Sequence, residues 1–432
     1  MAGDRVPPPI AAACEHVAPA TAADAVAGVQ PRFVAAPASS EEAGTLLRAA
    51  ARLGLRVVPR GTGSRVHWGY PPSGCDLVLD TTKLDRVVEH AAGDLVATVQ
   101  AGVRLDRLAE VLSAARQRLA LDPPGGGTVG GVLATAAAGP LRLRYGTPRD
   151  LLIGITVVRA DGTVAKSGGK VVKNVAGYDI GKLFAGSRGT LGLITQATFR
   201  LHPLPAGTAY VTAECADTAA ACQVIAQAMA SPASPVAAEI DWPDANTPVS
   251  AGFALEGDPS GVGERAVALS GLLACDAAKV SLSAEPPSWW GAGAAAQRDG
   301  TVLQIGFWPG DLGATLAAIR AAAEAAGLNP AVGGSAAAGV IYASVPDCAD
   351  PGAVAALVAV LRQTVGNGRS AERGRSGGPP ARANVVVLRA PAEVGKLVDL
   401  FGPVPSLALM RAIKKQFDPA GTMSPGRFAG GI

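Results

Sequence analysis

The sequence holds no Cys-x-x-Cys pair, no long run of Lys or Arg, and only four histidines: His16, His67, His90 and His202. The six cysteines, Cys14, Cys75, Cys215, Cys222, Cys275 and Cys348, are scattered. That spacing argues against an iron–sulfur cluster or structural zinc on this chain, so no metal site is expected. Reduced, mostly buried thiols in a cytoplasmic protein fit better. Charged residues make up 17% of the chain and the formal net charge is +3. Without a basic stripe, nucleic acid is excluded as the main partner. Asp4 and Arg5 are followed by three prolines and no apolar stretch, so no secretory signal is expected. The uncharged stretches Pro123–Leu141 and Ala325–Pro346 are broken by Gly and Pro and make poor membrane spans.

What is present is a chain of 432 residues, 49% hydrophobic, with 54 Gly and 33 Pro. That length and balance imply two or three domains with large cores and many loops. Residues 1–30 are Ala/Pro-rich and read as a loose arm or a helix of uncertain packing. Ser39 and Glu42 have capping-box spacing. Leu46, Leu47, Ala50 and Leu53 then form a helical stripe that Gly54 ends. Strands are expected at Leu55–Pro59, Leu77–Asp80, Leu95–Gln100 and Leu119–Leu121, with a helix over Leu105–Leu112. Ile153–Arg159 and Thr163–Ser167 flank an Asp161-Gly162 turn and read as a hairpin. A strand over Ile194–His202 closes this unit before Pro203 and Pro205.

From 206 to 409, strands at Ala209–Ala213, Ala237–Asp241, Val302–Phe307, Val340–Val345 and Asn384–Leu388 alternate with Ala-rich helices. The helices are expected at Thr218–Met229, Gly263–Leu273, Leu312–Ala326 and Ala353–Val365. This is an α+β pattern, an antiparallel sheet with helices on one face. The Gly/Arg/Ser-rich stretch 366–382 reads as a mobile loop. Residues 410–432 read as a helix followed by an extended tail.

Three Gly-rich segments punctuate the first half. Pro59-Arg60-Gly61-Thr62-Gly63-Ser64 follows a strand, and its closely spaced glycines let backbone N–H groups converge on an anion. Pro124-Gly125-Gly126-Gly127-Thr128-Val129-Gly130-Gly131 continues through Thr135 to Gly139. Gly125, Gly127 and Gly130 match G-x-G-x-x-G, and Asp150 lies downstream. The dinucleotide fingerprint needs a strand running directly into the loop, and Pro123 and Pro124 interrupt that entry. The third segment is Gly186-Ser187-Arg188-Gly189-Thr190-Leu191-Gly192-Leu193-Ile194-Thr195, preceded by Lys173-Asn174-Val175-Ala176-Gly177-Tyr178-Asp179.

The order of these segments resembles the FAD-binding PCMH-type domain of the vanillyl-alcohol oxidase superfamily. Tyr145-Gly146 to Asp150 is similar to that family's Y-G-x-x-x-D. The likeness is strongest to the FAD-binding subunits of bacterial glycolate oxidases, through Val172–Asp179 and the tail Phe417-Asp418-Pro419-Ala420-Gly421 with Pro425-Gly426-Arg427. The resemblance implies a PCMH-type domain of two α+β subdomains over 31–205. An antiparallel α+β cap follows over 206–409, and the tail 410–432 returns to the FAD domain. It implies that the first two loops hold the pyrophosphate and the third lies along the flavin. The implied contacts are Arg60, Gly61, Thr62, Gly63, Ser64, Pro124, Thr128, Val129, Gly130, Gly131, Thr135, Gly139, Gly189, Thr190, Gly192 and Ile194.

Two departures inform the chemistry. Covalent-flavin relatives often carry His where this chain has Ser64, so noncovalent FAD is expected; His67 reads as a surface or packing residue. Ser424 stands where the family usually has Asn, and the turn is expected to survive. No His follows His202, although hydroxy-acid dehydrogenases of this superfamily carry His in the second domain. Lys173 and Tyr178 are the remaining candidate catalytic residues.

The resemblance therefore implies an FAD-binding subunit that takes part in oxidising a 2-hydroxy acid of the glycolate or D-lactate class. It would pass electrons on with a second, catalytic flavin subunit and an iron–sulfur subunit, placing it at the inner face of the membrane only through partners. The alternative is a self-sufficient FAD oxidase or dehydrogenase of a sugar, alcohol or lactone.

Overall fold

Short β-branched segments separated by Gly and Pro favour strands with tight connections, and the described residues build four sheets from nineteen strands. The computed structural model describes residues 5–170, 179–291, 299–367 and 384–432. The stretch read as a mobile loop lies outside the described residues from 368 onward.

The first sheet contains β1 (Val17–Pro19), β2 (Phe33–Ala35), β3 (Val57–Arg60) and β4 (Leu77–Asp80) in the order β1-β2-β4-β3. β4 runs parallel to both β2 and β3. Such pairs need a crossover, and the helix Ser40–Arg52 supplies one, burying Leu46 and Leu47 against the sheet. Ser39 caps this helix by accepting from the Glu42 amide, as its spacing predicts. Glu42 does not close the box: its carboxylate accepts from the amides of Glu15 and Ala38 instead. That contact anchors the N-terminal stretch. Val17 pairs with Ala35 and Ile10 is fully buried, so part of the segment read as a loose arm is woven into this sheet.

The second sheet is wholly antiparallel: β5 (Val87–Ala91), β6 (Val96–Gln100), β8 (Leu152–Val158), β9 (Val164–Gly168) and β10 (Leu193–Arg200), ordered β5-β6-β10-β8-β9. β8 and β9 form the expected hairpin. The expected strand at Leu119–Leu121 is absent. Pairing falls two residues earlier, where β7 (Gln117–Arg118) meets β11 (His202–Pro203).

The cap is one eight-stranded antiparallel sheet of β12 (Gly207–Cys215), β13 (Ala237–Trp242), β14 (Val249–Gly257), β15 (Lys279–Ser283), β16 (Thr301–Gly306), β17 (Ala331–Ser335), β18 (Val340–Val345) and β19 (Asn384–Arg389). The helices Thr218–Ala230, Pro259–Leu273, Leu312–Ala326 and Pro351–Asn367 pack on one face through Val224, Leu269, Leu316 and Leu357. Each such buried side chain contributes about 1.5–3 kcal/mol. The opposite face turns toward the first half. There Ala237 and Ala254 meet Leu141, and Tyr342 and Val302 meet Trp68. Arg118 ties the halves through Glu256 at 2.5 Å, and the Tyr145 hydroxyl donates to the same carboxylate at 2.6 Å.

The tail returns to the first sheet. Val57 N–H donates to the Thr422 carbonyl at 2.8 Å, and Ser424 N–H donates to the Val57 carbonyl at 2.8 Å. Ser424 keeps the turn with a left-handed φ of 43°. Among the described residues no helix is long and apolar enough to cross a membrane.

Candidate cofactor site

The C-terminal end of β3 delivers Arg60 and the loop Gly61–Ser64 to the edge of an open cleft of about 790 Å³. The Arg60 guanidinium is neutralised by Asp24 and Asp80, each at 3.0 Å, so it fixes the start of the loop. A Cβ on Gly61 would stand 2.2 Å from Thr128 Oγ1, so only glycine lets the first loop close on the second. Gly63 has φ +76°, a left-handed turn that glycine adopts readily.

The second loop leads into the helix Val129–Thr135, whose cap is Thr128: its hydroxyl accepts from the Gly131 amide. A helix therefore leaves this loop, but no strand enters it. Asp150 is spent locally, accepting from the Thr147 amide and hydroxyl. These facts argue against the dinucleotide fingerprint here. Arg65 laces the first two loops together, donating to the carbonyls of Gly126 at 2.7 Å and Pro124 at 2.6 Å.

The third loop enters between β3 and the tail. A Cβ on Gly189 would press on Ser424 Oγ at 3.1 Å and Pro59 at 3.2 Å. Arg188 holds a left-handed φ of 54°, and its guanidinium stacks over Phe401 at 5.0 Å and Phe428 at 5.8 Å. Its Nη1 is buried without a hydrogen-bond partner, as is Nε of Arg65. Arg427 donates to the carbonyls of Val66, Trp68 and Tyr70. Burial, with Arg427 adding repulsion, pulls Arg188 down to about 10, and burial pulls Arg427 and Arg65 down to about 10. Three guanidinium groups thus line one cleft under a desolvation penalty that a bound anion relieves.

The cleft brings together Arg60, Gly61, Thr62, Gly63, Ser64, Thr128, Gly130, Gly131, Thr135, Gly189, Gly192 and Ile194. Four expected contacts do not line it. Val129 is buried in the core, and Thr190 is buried with its hydroxyl donating to the Ser187 carbonyl. Gly139 lies against Asp122, where a Cβ would meet the Asp122 carbonyl at 2.0 Å, and Pro124 contributes its carbonyl to Arg65. Lys173 and Tyr178 lie outside the described residues. His67 is exposed. Sequence reasoning missed Arg65, Trp68, Arg188 and Arg427, all of which line the cleft. Arg188 occupies the free position of Gly-Ser-x-Gly and Arg427 ends Pro-Gly-Arg, so a cation inside each loop signature was the available signal.

Three Gly-rich walls and unpartnered buried guanidinium nitrogens fit a large anionic cofactor. Comparison with known proteins identifies it. Residues 31–168 match the family described as "FAD binding domain", and residues 398–428 match "FAD linked oxidases, C-terminal domain". An uncharacterized FAD-linked oxidoreductase of Mycobacterium tuberculosis is 30% identical, covering 92% of this chain and 90% of the relative. The glycolate oxidase subunit GlcD of Bacillus subtilis is 34% identical over 220 residues, 49% of this chain and 46% of the relative. A D-lactate dehydrogenase of Archaeoglobus fulgidus is 39% identical over 173 residues, 39% of this chain and 38% of that protein. The match thus spans less than half the length of these last two. The structure of p-cresol methylhydroxylase shares the fold, with a TM-score of 0.72 at 14% identity over 97% of this chain and 95% of that one.

The chain belongs to the FAD-linked oxidoreductases. It is an FAD-dependent oxidoreductase, and its α+β architecture is the PCMH-type FAD-binding fold followed by the FAD-linked oxidase C-terminal domain.

Proposed function

We propose that this chain is the FAD-binding subunit of a glycolate-oxidase-like complex, oxidising a 2-hydroxy acid of the glycolate or D-lactate class. The observation that carries this reading is an intact three-loop cleft joined to a cap in which no residue after His202 is His. Likeness to a glycolate oxidase subunit and to D-lactate dehydrogenases supports the substrate class. In this reading the first two loops hold the pyrophosphate and the third lies along the flavin. Bound FAD supplies the hydride acceptor. The chain's own residues orient it: Arg65 fixes the two loops to each other, and Arg188 presents its free Nη1 to an anionic group. The FAD is held without a covalent bond, because Ser64 offers no imidazole and the pyrophosphate loops contain no Cys. A second flavin subunit and an iron–sulfur subunit complete the complex and carry electrons onward.

The test is dye reduction by the purified chain, alone and with the products of neighbouring genes, over a panel of 2-hydroxy acids, sugars, alcohols and lactones. Turnover of 2-hydroxy acids that rises when the neighbours are added is expected. Fast oxidation of sugars, alcohols or lactones by the single chain would replace this reading with the self-sufficient oxidase. Acid precipitation checks the linkage: the flavin should remain in the supernatant, and colour fixed in the pellet would refute noncovalent binding.

A further inference from the structure

The cap sheet face turned toward the FAD-binding half is mostly apolar, yet it carries a set of polar side chains. Glu239 on β13 shares this face with Ala237, which packs near Leu141. It is 4% exposed, and its Oε1 accepts from Ser335 Oγ on β17 at 2.6 Å. Tyr342 on β18, 8% exposed, packs in the cluster that includes Trp68 of the cleft wall. Gly333 pairs in register with both Asp241 and Tyr342, so it places no side chain on the strip between them. From the other half, the short helix Arg142–Tyr145 contributes Arg142, which lies beside Tyr342 and whose Nε is buried without a partner. Asp122, just before the second Gly loop, lies within electrostatic reach of Glu239. Its carboxylate accepts from the Leu141 amide at 3.1 Å.

Burying such groups is costly, and Arg118, Tyr145 and Glu256 already tie the halves together. A second polar set beside them calls for another role. We infer that Glu239 is the acid–base group on the substrate side of this chain, with Arg142 and Tyr342 beside it to receive the carboxylate of a 2-hydroxy acid. The inference rests on the proposed 2-hydroxy-acid reading and deepens it.

The step balances simply. The substrate carbon loses its hydrogen with two electrons to FAD, and its hydroxyl proton goes to a Glu239 carboxylate oxygen. The C–O single bond becomes the C=O of a 2-oxo acid, and Glu239 afterwards releases its proton to solvent. The surroundings set the working range. Burial raises Glu239 to about 8, nearby Asp122 adds to the rise, and Ser335 and Arg142 oppose it. Burial also raises Asp122 to about 6, and it raises Asp241 and Tyr342. A base of this kind is mostly protonated near neutrality and becomes competent above about 8.

The test uses the FAD-loaded chain, with flavin content and melting temperature recorded for every variant. Anaerobic flavin reduction by D-lactate and glycolate is followed across pH. In the wild-type protein the rate should rise to a plateau above about 8. In Glu239→Gln it should fall by about 10²–10⁴-fold and lose the rise. Ser335→Ala removes a hydrogen bond that holds Glu239 down, so the rise should move to higher pH. Oxalate, read by its perturbation of the flavin spectrum, reports binding without turnover. Arg142→Met should weaken it by about tenfold or more. In wild-type protein its affinity should fall as pH passes about 8, and in Glu239→Gln it should not. A folded, flavin-loaded Glu239→Gln with wild-type rate and pH profile would overturn the inference while leaving the proposed function standing. If no 2-hydroxy acid reduces the wild-type flavin and oxalate leaves its spectrum unchanged, the proposed function fails first and the inference with it.

Discussion

Gly63 separates two effects that a glycine loop usually mixes. Its φ is +76°, and a Cβ there would find only Arg60 Cδ within 4 Å, at 3.8 Å. Gly63→Ala therefore adds left-handed strain of about 1–2 kcal/mol without a clash. Gly63→Asp adds the same strain and a carboxylate facing the proposed pyrophosphate position. At an effective dielectric of about 20, two like charges about 4 Å apart repel by about 4 kcal/mol, roughly a thousandfold in affinity. Titration of the apo-protein with FAD should show the alanine variant binding with modest loss and the aspartate variant failing. Equal affinities would put the pyrophosphate elsewhere. The same scale explains why the arginines were harder to read in the sequence than the glycines. A glycine cluster announces a backbone need, whereas Arg188 and Arg427 were marked only by standing inside a loop signature, and Arg65 by nothing. Their role depends on which carbonyls and rings the fold brings near.

Among the elements, the tail shows how a short sequence string acquires a structural task. The helix Leu407–Phe417 ends beside Asp418, which is 2% exposed. Its carboxylate accepts from Lys414 Nζ at 2.6 Å, the Thr422 amide at 3.0 Å and the Met423 amide at 2.8 Å. Lys414 also donates to the carbonyls of Thr190 and Met423, joining the tail to the third Gly loop. Burial lowers Lys414 despite the opposing pull of Asp418, so this cation depends on its partner. Asp418→Asn should cost about 3–5 kcal/mol in urea denaturation of the FAD-loaded protein. A loss below about 1 kcal/mol, the range of an exposed pair, would show that the tail is not integral to the cleft.

Elements with strong periodicity were readable: β4, β18 and the helix Leu312–Ala326 fall where their patterns place them. β14, β15 and β17 were not anticipated. β17 reads Ala-Val-Gly-Gly-Ser, a poor strand former that is held by β13 and β18 on either side. Glu239 was overlooked for a related reason. A lone Glu in an Ala-rich strand reads as solvent-facing until a second domain covers that face, and the search for a base considered only His, Lys173 and Tyr178.

At the scale of the whole molecule, the buried acids between the two halves tie stability to pH. Asp122 rises from an ordinary 3.8 to about 6, and Glu239 from 4.5 to about 8, each because folding removes the carboxyl from water. Between those limits the folded protein holds protons that the unfolded chain has released. Stability is therefore complete below the unfolded values, declines as pH rises, and levels off once the folded groups ionise. Each proton contributes a slope of about 1.4 kcal/mol per pH unit where it titrates. From about 6 to about 8 the slope belongs chiefly to Glu239. Carboxylates held low, such as Asp76 beside Arg56 and Asp150 at Thr147, act in the opposite sense and matter only in more acidic solution. Burial holds His67 and His202 below the usual 6.5 and opposes the decline only up to about that pH, so the FAD-saturated protein should lose stability from there to about 8. Glu239→Gln should flatten that decline between about 6 and about 8 and reduce it by about half between about 4.5 and about 6, where Asp122 still contributes. Denaturation midpoints measured across this interval decide the matter, and parallel curves for the two proteins would show that Glu239 is already ionised in the fold. Such a result would also remove the proton that the proposed acid–base role requires it to exchange near pH 8.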